Sequence, residues 1–139
     1  MTNFKQGFTL IEILLVIVVI AALAVAIGIF IDPLDKINSA NDSKVQSDIS
    51  QIARAMEAYA VANGNYPTGA GPLVASGELK LILLAPAGYD AYSYAPGGLS
   101  QSVCGQQKSK KYTAYGILAF AWCSISGKIG TVINCGDCP

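Results

Sequence analysis

Lys5-Gln6-Gly7-Phe8-Thr9-Leu10-Ile11-Glu12 opens an apolar run that continues to Ile31. From Phe8 to Ile31 there are 24 residues, and Glu12 alone among them carries charge. As a helix rising about 1.5 Å per residue the run is about 36 Å long, enough to cross a hydrocarbon core of about 30 Å with some tilt. A core helix of a soluble domain keeps a polar face, and this stretch has none. A carboxylate inside such a span costs on the order of a few kcal/mol and calls for a cation, unless it stays at the wet edge of the membrane.

Working outward, Lys5 and the amino terminus precede the span, while Asp32 and Asp35 follow it. This asymmetry predicts a cytoplasmic N-terminus with everything after Ile31 on the other side. The charged region is too short, and the apolar run too long, for an ordinary secretory signal. Ala21, Ala22, Ala24, Ala26 and Gly28 form a small-residue patch that would let helices approach closely. Pro33 cannot donate to the carbonyl of Ile29, and Asp32-Pro33 also reads as a helix start, so the helix either kinks or stops and restarts there.

Beyond it, Val45, Ile49, Ile52, Met56 and Tyr59 recur at helical spacing, with Lys44, Asp48, Gln51, Arg54 and Glu57 between them. This predicts an amphipathic helix with a single apolar stripe. Asn63-Gly64 ends it, and Pro67 forbids its resumption. The helical unit over residues 8–62 would be about 80 Å long if straight, more than a domain of this size needs for its own core. Residues 79–84 fit either a strand or a short helix. Residues 89–95 alternate as a strand and Pro96-Gly97-Gly98 turns. The polar stretch 101–111 reads as a loop, and 112–125 as an aromatic strand with a bulge or break at Gly116. A two-residue hairpin at Gly127-Lys128 leads to a last strand over 129–134. The fold expected is α+β: a long N-terminal helix, then a small antiparallel sheet of three or four strands.

Composition narrows the chemistry. There is no His in 139 residues, and nine basic side chains balance nine acidic ones, which removes the usual acid-base catalyst and any bulk attraction to nucleic acid. No nucleophile-base pair or phosphate loop is visible, so no enzyme activity, cofactor or metal is expected. Cys104, Cys123, Cys135 and Cys138 lie far from the span, an even number suited to disulfides in an oxidising compartment. With the hairpin at Gly127-Lys128, Cys123 would stand opposite Val132 and Cys135 would face the other side of the sheet. That leaves Cys104 paired with either Cys123 or Cys135. Lys108, Lys110 and Lys111 form the one basic cluster, most simply a solvated loop, with DNA or an anionic surface as a weaker reading.

A short basic leader ending in Gly7, then Phe8-Thr9-Leu10-Ile11-Glu12 and about twenty apolar residues, resembles the type III signal of type IV pilins and of type II secretion pseudopilins. The resemblance implies a pilin-like fold with a leader at 1–7, a transmembrane and filament-core helix at 8–31, an amphipathic second half at 32–63 and a globular head at 64–139. It further implies that a prepilin peptidase cuts between Gly7 and Phe8 and methylates the Phe8 amine. Glu12, fifth in the mature chain, would then pair with the terminal amine of a neighbouring copy as an inner-membrane assembly platform builds the homopolymer. Asn63-Gly64-Asn65-Tyr66-Pro67 is similar to a segment that follows the long helix in many major pseudopilins.

Two departures stand out. Family members commonly carry a proline a few residues earlier in the apolar helix, where this chain has Gly28 and Ile29, so flexibility is expected near Gly28 and Pro33. Only Asp90 and Asp137 follow Glu78, too few hard ligands for the calcium loop typical of major pseudopilins. The expected function is therefore the structural subunit of a type IV pilus-like filament, anchored in the membrane before assembly and extracellular afterwards. A periplasmic pseudopilus subunit of type II secretion is the alternative, and a monomeric, single-pass anchored binding protein the second.

Overall fold

The computed structural model describes residues 7–30, 32–97 and 100–139. The leader residues 1–6, Ile31 at the end of the span, and Gly98 of the expected turn lie outside the described residues. The chain forms two compact units, one ending at Pro33 and one from Leu34 to Pro139.

The first unit holds α1 (Leu10–Phe30). Every large apolar side chain from Leu10 to Ile27 is exposed, so the helix is apolar all round with no polar face. Among the described residues this is the one helix long and apolar enough to cross a membrane.

The second unit is built on α2 (Pro33–Asn63), whose helical run starts at the proline that interrupts the apolar span. Pro33 fits a helical first turn, where its missing N–H would have had no partner anyway. Gly64 ends α2 with φ 74°, its N–H donating to the Ala60 carbonyl at 2.8 Å. A short α3 (Ala70–Ala75), not anticipated from the sequence, follows. Next come β1 (Ser93–Gly97), β2 (Ser100–Gln106), α4 (Lys110–Thr113), β3 (Ala119–Cys123) and β4 (Lys128–Val132). The four strands form one antiparallel sheet in sequence order.

Val45, Ile49, Ile52 and Met56 are fully buried, and with Leu73, Tyr92, Val103 and Trp122 they form the core between α2 and one face of the sheet. Each such side chain contributes about 1.5–3 kcal/mol by leaving water. Tyr59, the last residue of the expected stripe, packs at the rim. Trp122 meets Tyr66 edge to face at 5.8 Å, which ties the turn after α2 to β3.

Several readings of the second half are corrected. The stretch read as a polar loop holds β2, an interior strand paired on both sides. The turn expected at Pro96-Gly97 lies within β1, and residues 112–116, expected as strand, are helix and turn. Residues 79–84 are neither strand nor helix. The hairpin loop is residues 124–127, so Cys123 pairs with Lys128 rather than Val132, and β4 ends at Val132. Gly127 still supplies the positive φ, at 63°.

Gly105 explains how a polar strand reaches the core. A Cβ added there would lie 2.6 Å from Val45 Cγ1 and 2.9 Å from Tyr92 Cε1, so α2 and the residue before β1 close over bare backbone. Gly105→Ala is expected to lower stability by about 1–3 kcal/mol through overpacking. The readout is the urea midpoint of the Trp122 near-ultraviolet signal, and an unchanged midpoint would refute the close-approach argument.

Candidate functional site

The chain becomes helical just after the expected cut. Thr9 caps α1: its carbonyl accepts from the N–H of Glu12 at 3.1 Å and of Ile13 at 3.3 Å, and its hydroxyl lies 3.4 Å from the Glu12 N–H. Thr9-Leu10-Ile11-Glu12 is a capping-box sequence, a signal the sequence reading passed over. Glu12 consequently sits in the first turn of α1, where open N–H groups and the helix dipole favour a negative charge. Phe8, immediately before the cap, is 79 % exposed. Gly28 lies within α1 and Pro33 opens α2, on either side of the point where regular helix is interrupted.

The four cysteines are bonded as Cys104–Cys135 and Cys123–Cys138. Cys104 with Cys135 is one of the two pairings left open. The excluded pair Cys123–Cys135 is absent, but the side-of-sheet argument against it is corrected: β4 ends at Val132, so strand alternation does not extend to Cys135, which turns back onto the face that carries both Cys104 and Cys123. Cys104 and Cys123 both point away from α2, beside Ala119, Ala121 and Val132. The C-terminal residues 133–139 run back over this face as a strap fastened at two points, with Pro139 3.0 Å from where a Cβ on Gly130 would stand.

A polar clamp joins the sheet-side loops to α2. The Asp42 carboxylate, 1 % exposed, accepts from the Tyr89 hydroxyl at 2.7 Å and from the backbone N–H of Lys108 at 2.9 Å and of Ser109 at 2.8 Å. Burial alone would raise its pKa, but these bonds, with the Ser109 side chain close by, outweigh burial and hold it below the ordinary carboxylate value. The Ser109 hydroxyl itself, fully buried, reaches no partner at strict hydrogen-bond geometry.

Two turns back along α2, Asp35 Oδ1 accepts from the Lys110 N–H at 2.6 Å. One turn forward, the Gln46 amide donates to the Tyr112 hydroxyl at 2.7 Å and to Gln107 Oε1 at 3.2 Å. Asp48, placed by the sequence on the solvent side, is 5 % exposed and accepts from both Lys44 and the Tyr92 hydroxyl. Lys44 also donates to the Leu84 carbonyl at 2.8 Å, which holds the irregular stretch 79–84 to the helix. Burial first, and then these bonds to carboxylates, push Tyr89 and Tyr92 above the ordinary phenol value.

The basic cluster is divided by this clamp. Lys108 donates to the Gly88 carbonyl and lies 5.1 Å from the Tyr89 ring centre, whereas Lys110 and Lys111 are exposed, with the Lys111 ammonium 5.1 Å from the Tyr112 ring centre. Asp90 lines an open groove of about 300 Å³ beside the Cys104–Cys135 bond, and Asp137 accepts from the Asn134 N–H at 3.1 Å. Among the described residues no three His, Cys, Asp or Glu side chains gather so as to hold a metal ion.

Compared with known proteins, residues 2–28 match the prokaryotic N-terminal methylation motif. No curated protein matches the chain. The matched residues take in Gly7, Phe8, Thr9 and Glu12 with most of α1, and α1 is followed by a helix and a four-stranded antiparallel sheet in a pilin-like layout. The chain therefore carries a prepilin signal of the type IV pilin and pseudopilin kind, which marks it as the precursor of a pilin-like or pseudopilin subunit.

Proposed function

We propose that this chain is the structural subunit of a type IV pilus-like filament, cut between Gly7 and Phe8 and polymerised through α1. The observation that carries the reading is the methylation motif over residues 2–28 with Glu12 in the first turn of an otherwise uncharged, fully apolar helix. Before assembly α1 crosses the inner membrane with a cytoplasmic N-terminus. Apolar contact with lipid is already satisfied there, so association must draw on packing and polar pairing. Cleavage places an amine on Phe8, four residues before Glu12, so the amine of one copy and the carboxylate of its neighbour compensate each other at similar depth.

Mass spectrometry of the assembled protein tests the processing step: the N-terminal peptide should begin at Phe8 with one methyl group. Residues 1–7 retained in assembled protein would overturn the reading and favour a monomeric anchored protein. Glu12→Ala should leave membrane insertion intact and lower filament yield about tenfold or more, the factor expected for a charge-assisted bond of about 1.5–3 kcal/mol. Unchanged filament amounts would show that the carboxylate is not an assembly contact.

Asn63-Gly64-Asn65-Tyr66-Pro67 favours a second reading, a pseudopilin of type II secretion. Long surface filaments under the electron microscope support the pilus, and short periplasmic ones the pseudopilus.

A further inference from the structure

The start of α2 and the loop after β2 meet at one end of the 34–139 unit. The bonds from Lys108, Ser109 and Lys110 N–H groups to Asp42 and Asp35 fasten residues 108–115 to the first three turns of α2. Toward solvent this segment turns Lys110, Lys111 and Tyr115, the last 81 % exposed. Leu34 and Lys36, on either side of Asp35, are exposed as well. The acidic groups of the same region are Asp32, Asp35 and Asp42, of which Asp42 is wrapped in its hydrogen bonds and withdrawn from solvent. Ammonium groups beside tyrosine and leucine are the side chains that suit a lipid headgroup layer, where phosphates meet the charge and the rings lie at the apolar boundary.

The covalent chain brings this surface near such a layer. Asp35 is five residues beyond Phe30, the last residue of α1, so the two lie within about 18 Å of each other in any arrangement. The apolar window Leu10–Ile27 is about 27 Å long as a helix, close to the hydrocarbon thickness, so a bilayer that holds it puts Phe30 at the headgroups.

We propose that the surface formed by Lys36, Lys111 and Tyr115 docks on anionic phospholipid headgroups of the bilayer that α1 spans, holding the head of the unassembled subunit against the membrane. The inference rests on the membrane-spanning reading of α1. Leaving the membrane for a filament then requires release of these headgroup contacts.

The test uses the full chain in vesicles of phosphatidylcholine alone and of phosphatidylcholine with phosphatidylglycerol. Lysine amines are acylated with a water-soluble reagent and located by peptide mass spectrometry. Acylation of Lys36 and Lys111 should slow about fivefold in the anionic vesicles and recover in high salt. Lys128 should keep its rate, because it pairs with Cys123 at the end of the sheet where Trp122 meets Tyr66, away from the clamp. Equal rates for Lys36 and Lys111 in both lipids, with the chain floating with the vesicles, overturn the docking surface alone. A chain that does not float overturns the membrane reading and the surface with it. Slowing in both lipids that grows with protein density assigns the surface to a second copy, which also overturns the proposal.

Discussion

Reduction of both disulfides is expected to lower the stability of the 34–139 unit by about 4–7 kcal/mol, most of what a domain of this size has to spare. The bonds close loops of 31 and 15 residues that overlap, so their effects should not simply add. They also keep the strap on a face of the sheet whose own contribution is small, since Cys104, Ala119, Ala121 and Val132 bury little area compared with the α2 side. The measurement is the urea midpoint of the Trp122 signal with and without reductant. Separate removal resolves the two: Cys104→Ala with Cys135→Ala should cost about 0.6 kcal/mol more than Cys123→Ala with Cys138→Ala, the difference set by loop length. A midpoint indifferent to reductant would show that the α2 face alone holds the fold.

Loss of the Asp42 carboxylate is expected to be the second large effect. Asp42→Asn keeps the volume but turns an amide toward N–H groups at Lys108 and Ser109 that need an acceptor, at a cost of about 2–4 kcal/mol. The pH dependence follows from the lowered folded pKa. The contribution of the carboxylate is fully present above the unfolded value of about 4 and is lost as pH falls through the lower folded value. The parent protein should therefore lose stability steadily below about pH 4, while the Asn variant, already weaker at neutral pH, shows a shallower acid limb. Parallel acid limbs in the two proteins would show that Asp42 is not the group responsible.

What the sequence revealed follows from where the apolar pattern was unambiguous. The absence of any polar face marks α1, and Val45, Ile49, Ile52 and Met56 mark the buried side of α2, because helical spacing leaves them no other common face. β2 was hidden because it is polar in composition and yet buried. Val103 faces α2, Gly105 must be bare to pass Val45 and Tyr92, and Cys104 lies beneath the strap. Those are tertiary reasons that no window of seven residues carries. The buried acids failed for a related reason, since an aspartate in a helix is read as solvated unless its donors are known. Asp42 takes them from residues 89, 108 and 109, far along the chain. A sign was present all the same: Asp35 and Asp42 are seven residues apart and fall on the helix face that Val45 and Ile49 continue. Of the prepilin signal, the motif and its lone glutamate were legible, whereas the cap supplied by Thr9, which puts that glutamate in the first turn, was not.

The strap also bears on how the head responds to mechanical load. A pull transmitted along the chain passes from Cys104 across the disulfide to Cys135, so the residues between them cannot add length however far the sheet is disrupted. The second bond ties Cys123, inside this closed segment, to Cys138, three residues beyond it. Three of the four strands are thereby wholly or partly removed from the contour that tension can draw out, leaving α2 and the segment up to Cys104 as the extensible part of the head.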